Sequence, residues 1–288
     1  MKAFFYILLV TLFLTACSEN FFDKPVDINT ESQEPNLAVT AILNQYNLNE
    51  NTFSNNQKIL VSYSQNPLTY QYNENGNIIE DATITITGNN QTYIYEKEND
   101  SRFYKPVETI EFIPENSYTL TVEAPNFNTV TATQTMPQAP QITAVENSGD
   151  YITFKIVDAP NEQNFYLLQL FAKNSNDEYR MVYLDAFNTV FDGSGLCYSC
   201  LLFNDTTFNG EEVELTIEHF LEPDNDVVSF KLLLYATTQD YFKYDTTIRI
   251  AEYAQDNPFV EPVIIYNNIR NGYGIFSLLN KTEVEFSF

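Results

Sequence analysis

The sequence predicts a mainly β protein: an N-terminal sandwich, then a second β-rich domain with one helix near the C-terminus. Three observations point there. Short segments alternate apolar and polar residues with period two, which puts one face of a strand on a core and the other in water. Tyr and Phe are abundant, at 20 and 23 residues, beside many Thr, Val and Ile, and such side chains suit a pleated, half-buried surface. Near the C-terminus alone, Tyr241, Tyr244, Ile248 and Ala251 recur at helical spacing.

Residues 1–16 read as a signal peptide. Lys2 supplies the positive charge, and the apolar run from Phe4 to Leu14 falls short of the roughly 20 residues a permanent span requires. The run ends in Leu14-Thr15-Ala16-Cys17. This resembles the bacterial lipobox, whose cysteine is diacylated and becomes the first residue of the mature chain. Two acyl chains anchor a protein stably where one does not, so Cys17 is the expected lipidation site. Residues 17–36, with Pro25 and Pro35 among polar side chains, form a flexible tether; Phe21-Phe22 within it suits a membrane or a partner. Ser18-Glu19-Asn20 resembles, in reduced form, the acidic surface-export signal of Bacteroidota lipoproteins. The expected location is therefore the outer membrane, its cell-surface face preferred to the periplasmic one.

Residues 37–136 carry short strands separated by turns. Asp81 to Thr87 alternates and stops at Gly88-Asn89-Asn90; Ser117 to Glu123 alternates and closes at Pro125-Asn126; Asn73-Glu74-Asn75-Gly76-Asn77 reads as a loop tip. Pro137-Gln138-Ala139-Pro140 then forms an inter-domain joint, because two prolines stiffen the chain and remove ladder donors. In residues 141–288, Tyr151 to Val157 and Val213 to Phe220 alternate, Asn164 to Phe171 is more continuously apolar, and Val227 to Tyr235 forms a further strand. The helix is expected near 238–254, opened by Thr237-x-x-Asp240 in the manner of a capping box.

The formal charge is −25, and removing the leader with its single charged residue, Lys2, takes it to −26. Such a body repels phosphate backbones, which argues against nucleic-acid binding, and suits a soluble mass or a partner with a basic face. The apolar fraction of 44% is enough for a packed core.

Two C-terminal stretches carry a resemblance. Asn257-Pro258-Phe259-Val260-Glu261-Pro262 is followed by Asn268-Ile269-Arg270-Asn271-Gly272-Tyr273-Gly274-Ile275-Phe276, and Asn204-Asp205-Thr206-Thr207-Phe208-Asn209-Gly210 lies upstream. In order and spacing these resemble the Bacteroidota lipoprotein family called domain of unknown function 4249, with its N-P-F-x-E-P, N-I-x-x-G-x-G-I-F and D-x-x-F-N-G elements. The resemblance implies an Ig- or transthyretin-like first domain and an accessory subunit beside a TonB-dependent outer-membrane receptor, helping to capture or admit a nutrient. It carries no catalytic residues and no cofactor. Physically, Gly272 and Gly274 permit positive φ or close backbone approach, and Pro258 and Pro262 bracket a stretch that is no central strand. Asn257, Pro258, Phe259, Glu261, Pro262, Asn268, Gly272, Gly274 and Phe276 are therefore read as bracing residues.

Chemistry is sparse. The one histidine, His219, ends an alternating strand and reads as a residue of a rim or core edge. Asp192-Gly193-Ser194-Gly195 lacks the nucleophile-elbow frame. A single histidine does not build the usual catalytic zinc site. Cys197 and Cys200 read as a local disulfide in an exported chain; a redox pair or a metal site would need a helix N-terminus or further ligands. Glu222-Pro223-Asp224-Asn225-Asp226 lacks EF-hand spacing and reads as a solvated turn. Carboxylate pairs suited to glycoside hydrolysis are invisible without geometry. The expected function is a non-enzymatic accessory or binding lipoprotein, its ligand a small molecule, glycan or peptide; a structural or adhesive surface protein is the alternative.

Overall fold

The computed structural model describes residues 34–44, 57–65, 77–187, 199–221, 226–255, 261 and 263–287. Strands dominate, with one helix near the C-terminus. Cys17, the tether, Cys197, Asn257, Pro258, Phe259, Pro262 and most of the 73–77 loop tip lie outside the described residues.

The first block supplies β1 (Leu37–Asn44), β2 (Ile59–Tyr63), β3 (Thr83–Gly88), β4 (Gln91–Lys97), β5 (Phe103–Pro106), β6 (Ser117–Glu123) and β7 (Val130–Thr135). The two alternating segments become β3 and β6 and pair antiparallel, Ile84 opposite Val122 and Ile86 opposite Leu120. All four side chains are buried, as period two requires of one face. Strand order runs β1-β2-β5-β4-β3-β6-β7. The far edge curls back: Thr131 of β7 and Arg270 exchange backbone hydrogen bonds of 3.3 and 2.8 Å, just ahead of β16 (Tyr273–Ser287), which pairs parallel with β1. The resulting roll encloses Tyr104, Phe112 and Tyr118. Buried phenols need partners, and Tyr104 has them, donating to the Ile79 carbonyl at 2.9 Å and accepting from the Ala82 amide at 3.0 Å.

The second block contains β8 (Gln141–Ser148), β9 (Tyr151–Val157), β10 (Phe165–Asn174), β11 (Tyr179–Met181), β12 (Tyr183–Ala186), β13 (Cys200–Asn204), β14 (Glu212–Phe220), β15 (Val227–Thr237) and helix α1 (Gln239–Gln255). A four-stranded sheet of order β12-β14-β9-β8 faces β10, β13 and β15 of the large sheet, and Phe154, Leu215, Leu168, Phe203 and Leu232 fill the space between. The opposite side of β10 and β15 is buried too, where Leu167, Phe171, Leu233 and Tyr235 meet Tyr241 of α1. Burial on both faces explains the unbroken apolar runs of these strands, which carry no alternation.

Strand β16 belongs to both blocks. Tyr273 to Leu279 pairs with β1, and Asn280 to Ser287 pairs with β15. Where it changes neighbour, the Asn280 amide donates to the Pro137 carbonyl at 2.9 Å and the Thr282 hydroxyl donates to that of Pro140. The proline segment is thus pinned at both ends to the strand beneath it. Each block keeps its own core, yet Pro35–Phe288 forms one compact unit with a single sheet running through it.

The helix cap differs from the sequence expectation by one residue. Thr238 is the cap, its hydroxyl accepting from the Tyr241 amide at 3.2 Å, while Thr237 donates to the Phe165 carbonyl at 3.4 Å as the last residue of β15. Asp240 is released from the expected capping box and serves elsewhere.

Candidate functional site

Beside the proline segment lies a cleft of about 350 Å³, within the size range of small-ligand sites. Its walls are Pro137 to Pro140 and the turn from Ala159 to Asn164; Phe165, Tyr166 and the start of α1 close it below. Glu115, Gln138, Glu162 and Gln163 line it, and among the described residues no Lys, Arg or His does. The cleft thus offers carboxylates, amides and hydroxyls on an apolar floor, a setting for neutral or cationic groups and unfavourable to anions.

One wall is fixed by two loops that clamp each other. The turn after β9 carries Asp158, which is buried. Its carboxylate accepts from the Tyr166 hydroxyl at 2.5 Å and from the Gly210 amide at 2.8 Å. The turn after β13 carries Asp205, also buried, which accepts from the Asn164 amide at 2.9 Å. Each loop's aspartate therefore caps a backbone N–H of the other. Backbone bonds from Asp205 to the Asn164 carbonyl and from Asp158 to that of Glu211, both 3.2 Å, complete the clamp. Asn209 adds two contacts, donating to Glu162 O at 2.6 Å and accepting from the Asn161 amide at 3.3 Å. Phe208 packs with Tyr166 and Phe203. Gly210 has φ +77°, and a Cβ there would stand 2.9 Å from the Pro160 side chain, so glycine is required.

Among the described residues, Asp205 Oδ1 is buried and accepts no hydrogen bond. Burial raises the Asp158 pKa, hydrogen bonds from Tyr166 and Gly210 oppose that rise, and the Asp205 carboxylate adds to it. Neither acid lines the cleft; the pair braces its wall.

The second motif region is a different kind of hub. The Asn268 side chain acts as a backbone surrogate, accepting from the Phe276 amide at 2.9 Å and donating to its carbonyl at 2.8 Å. It also donates to Asp240 at 3.0 Å, which accepts from Tyr266 and Gln134 as well. Although burial would raise the Asp240 pKa, these three donors and the Lys243 charge hold it below the usual carboxylate range. Asn267 folds the turn, accepting from the Ile269 amide at 2.9 Å and donating to Gly272 O at 3.1 Å. Gly274 has φ +110°, and its Cβ would lie 2.0 Å from the Val39 carbonyl; at Gly272 a Cβ would lie 2.7 Å from that of Leu37. The glycines let β16 settle against β1.

A family profile described as domain of unknown function (DUF4249) matches residues 23–285. The chain belongs to this family. No curated protein matches it. In this DUF4249 chain, Asp205, Phe208, Asn209 and Gly210 form the loop clamp, while Asn268, Gly272, Gly274 and Phe276 join β16 to its neighbours; Glu261 is exposed. Asp158, Asn164, Tyr166 and Asp240 complete the two hubs, and sequence reasoning gave them no such role, since their partners are distant in sequence.

His219 is buried, 4.8 Å from the Phe230 ring. Burial lowers its pKa against the Gly149 backbone and the Asp150 and Glu218 charges. Cys200 opens β13 and is disulfide-bonded; Arg249 donates to its sulfur at 3.7 Å. Among the described residues, no three of His, Cys, Asp and Glu gather as a metal site, and no helix is long and apolar enough to cross a membrane.

Proposed function

We propose that the protein is a Bacteroidota outer-membrane lipoprotein, tethered through Cys17, that serves as a non-enzymatic accessory subunit of a TonB-dependent receptor in nutrient uptake. The observation that carries this reading is Leu14-Thr15-Ala16-Cys17 at the end of a short apolar leader, placed ahead of a compact acidic β body. Lipid then holds the body beside the bilayer. The cleft at the proline segment gives the body a place for a neutral or cationic group of a cargo or partner, and the rigid clamp keeps its wall preformed, which lowers the ordering cost of binding.

Isolation of a chromosomally tagged chain in mild detergent tests the partnership. A receptor barrel recovered in comparable amount is the expected result; the chain recovered alone would sink it. Deletion strains grown on single limiting nutrients separate this reading from an adhesive one: a nutrient-specific defect is expected, and loss of attachment with normal growth would favour adhesion.

A further inference from the structure

The four-stranded sheet has a core face and an outward face, and the outward face is unusual in what it shows. Tyr183 of β12 lies opposite Phe220 of β14, and they are 62% and 53% exposed. One row along, Asp185 lies opposite Glu218, and Glu218 in turn lies opposite Tyr151 of β9. Phe187, 60% exposed, packs on Tyr151 with ring centroids 4.7 Å apart. All share one face, because Leu184, Ile217, His219 and Ile152 between them point into the core. Two carboxylates therefore sit side by side across a strand pair, among four aromatic rings.

This arrangement contradicts the rules of sheet stability. Like charges directly opposite one another destabilise a strand pair, and large exposed aromatic clusters are uncommon unless something covers them. Among the described residues neither Asp185 nor Glu218 has an ion-pair partner; the Lys155 ammonium on this sheet goes to Glu212 and Glu214, each 3.9 Å away. A local rule broken without compensation marks a functional surface. The group that resolves both tensions is a guanidinium, which accepts a carboxylate on its edge and an aromatic ring on its face. A body of formal charge −25 also draws cationic partners toward it.

We infer that this face docks an arginine-bearing segment of a partner polypeptide, with Asp185 and Glu218 taking the guanidinium and Tyr183, Phe220 and Tyr151 bracketing it. The site is separate from the cleft, and it stands whether or not the partner is a receptor.

Fluorescence anisotropy with an alternating glycine–arginine peptide, titrated with the purified full chain in detergent, tests it. Asp185→Asn with Glu218→Gln is expected to weaken binding by about tenfold, and Tyr183→Ser with Phe220→Ser to weaken it similarly. Glu80→Gln with Glu123→Gln removes equal charge from exposed positions of the other block and is expected to change affinity by less than about twofold. The citrulline version of the peptide should not bind. Because Asp185→Asn with Glu218→Gln relieves a repulsion, its melting temperature should equal or exceed that of the wild type, so weakened binding will not reflect unfolding. Equal losses in the two charge variants would reduce the effect to bulk charge and overturn the proposal, as would undiminished binding after loss of the aromatic pair.

Discussion

Two carboxylate hubs hold this molecule together, and they are built on opposite principles. Asp240 sits at the start of α1 with Tyr266, Asn268 and Gln134 all donating to it, and its pKa falls. Asp158 and Asp205 each accept a backbone N–H from the other's loop; among the described residues one Asp205 oxygen is unpartnered, and the Asp158 pKa rises. The first hub is a charge fully solvated by protein; in the second, burial and the neighbouring Asp205 charge favour the neutral form of Asp158. Burial pushes both upward; at Asp240 three donors and the Lys243 charge reverse the direction, whereas at Asp158 two donors fail to and the Asp205 charge adds to the rise.

The largest expected effect lies in the glycines beside each hub. Gly274→Ala forces a Cβ against the Val39 carbonyl in a left-handed conformation and should cost more than about 4 kcal/mol. Gly210→Ala meets a side chain at a longer distance and should cost about 1–3 kcal/mol. Urea denaturation of the two variants ranks them, and the reverse order would break the comparison.

Next come the acids of the clamp. Asp205→Ala leaves the part-buried Asn164 amide without its acceptor, at about 1–3 kcal/mol. Asp205→Asn keeps an acceptor for that amide, so it should lie within about 1 kcal/mol of wild type. If asparagine proves as damaging as alanine in chemical denaturation, the Asn164 contact is not what Asp205 contributes.

Smallest, and of opposite sign, are the pH effects. The Asp240 pKa is depressed from 3.8, so its contribution is present above that value and lost as pH falls through the folded pKa. The Asp158 pKa is raised from 3.8, so its contribution is full below that value and lost as pH rises through the folded pKa. Compared with wild type across an acid-to-neutral series of urea midpoints, Asp240→Asn should flatten the acid-side loss. Asp158→Asn should flatten the loss on the rising side. Shifts of the same sign would mean that the two hubs do not differ.

These hubs also mark where sequence reading stops. Alternation located β3, β6, β9 and β14 because each lays one face on a core, and the helical recurrence of Tyr241, Tyr244 and Ile248 located α1. The change of neighbour midway along β16 left no trace, since a strand flanked on both sides reads the same whichever strand flanks it. Gly272 and Gly274 announced a close approach, though not that Val39 and Leu37 would be what they approach. Asp158 and Asp205 lie in different turns, and nothing local distinguishes either from a solvated acid. Thr237 and Thr238 are adjacent candidates for one cap, and the end of β15 decides between them.

The functional account depends on the body being held at a membrane by Cys17. Metabolic labelling with an alkyne palmitate analogue, followed by fractionation of cells carrying wild-type or Cys17→Ser protein, tests this most directly. The account predicts a labelled, membrane-bound wild type and an unlabelled variant released from the membrane. An unlabelled wild type, or a Cys17→Ser chain that stays in the membrane fraction, would contradict it.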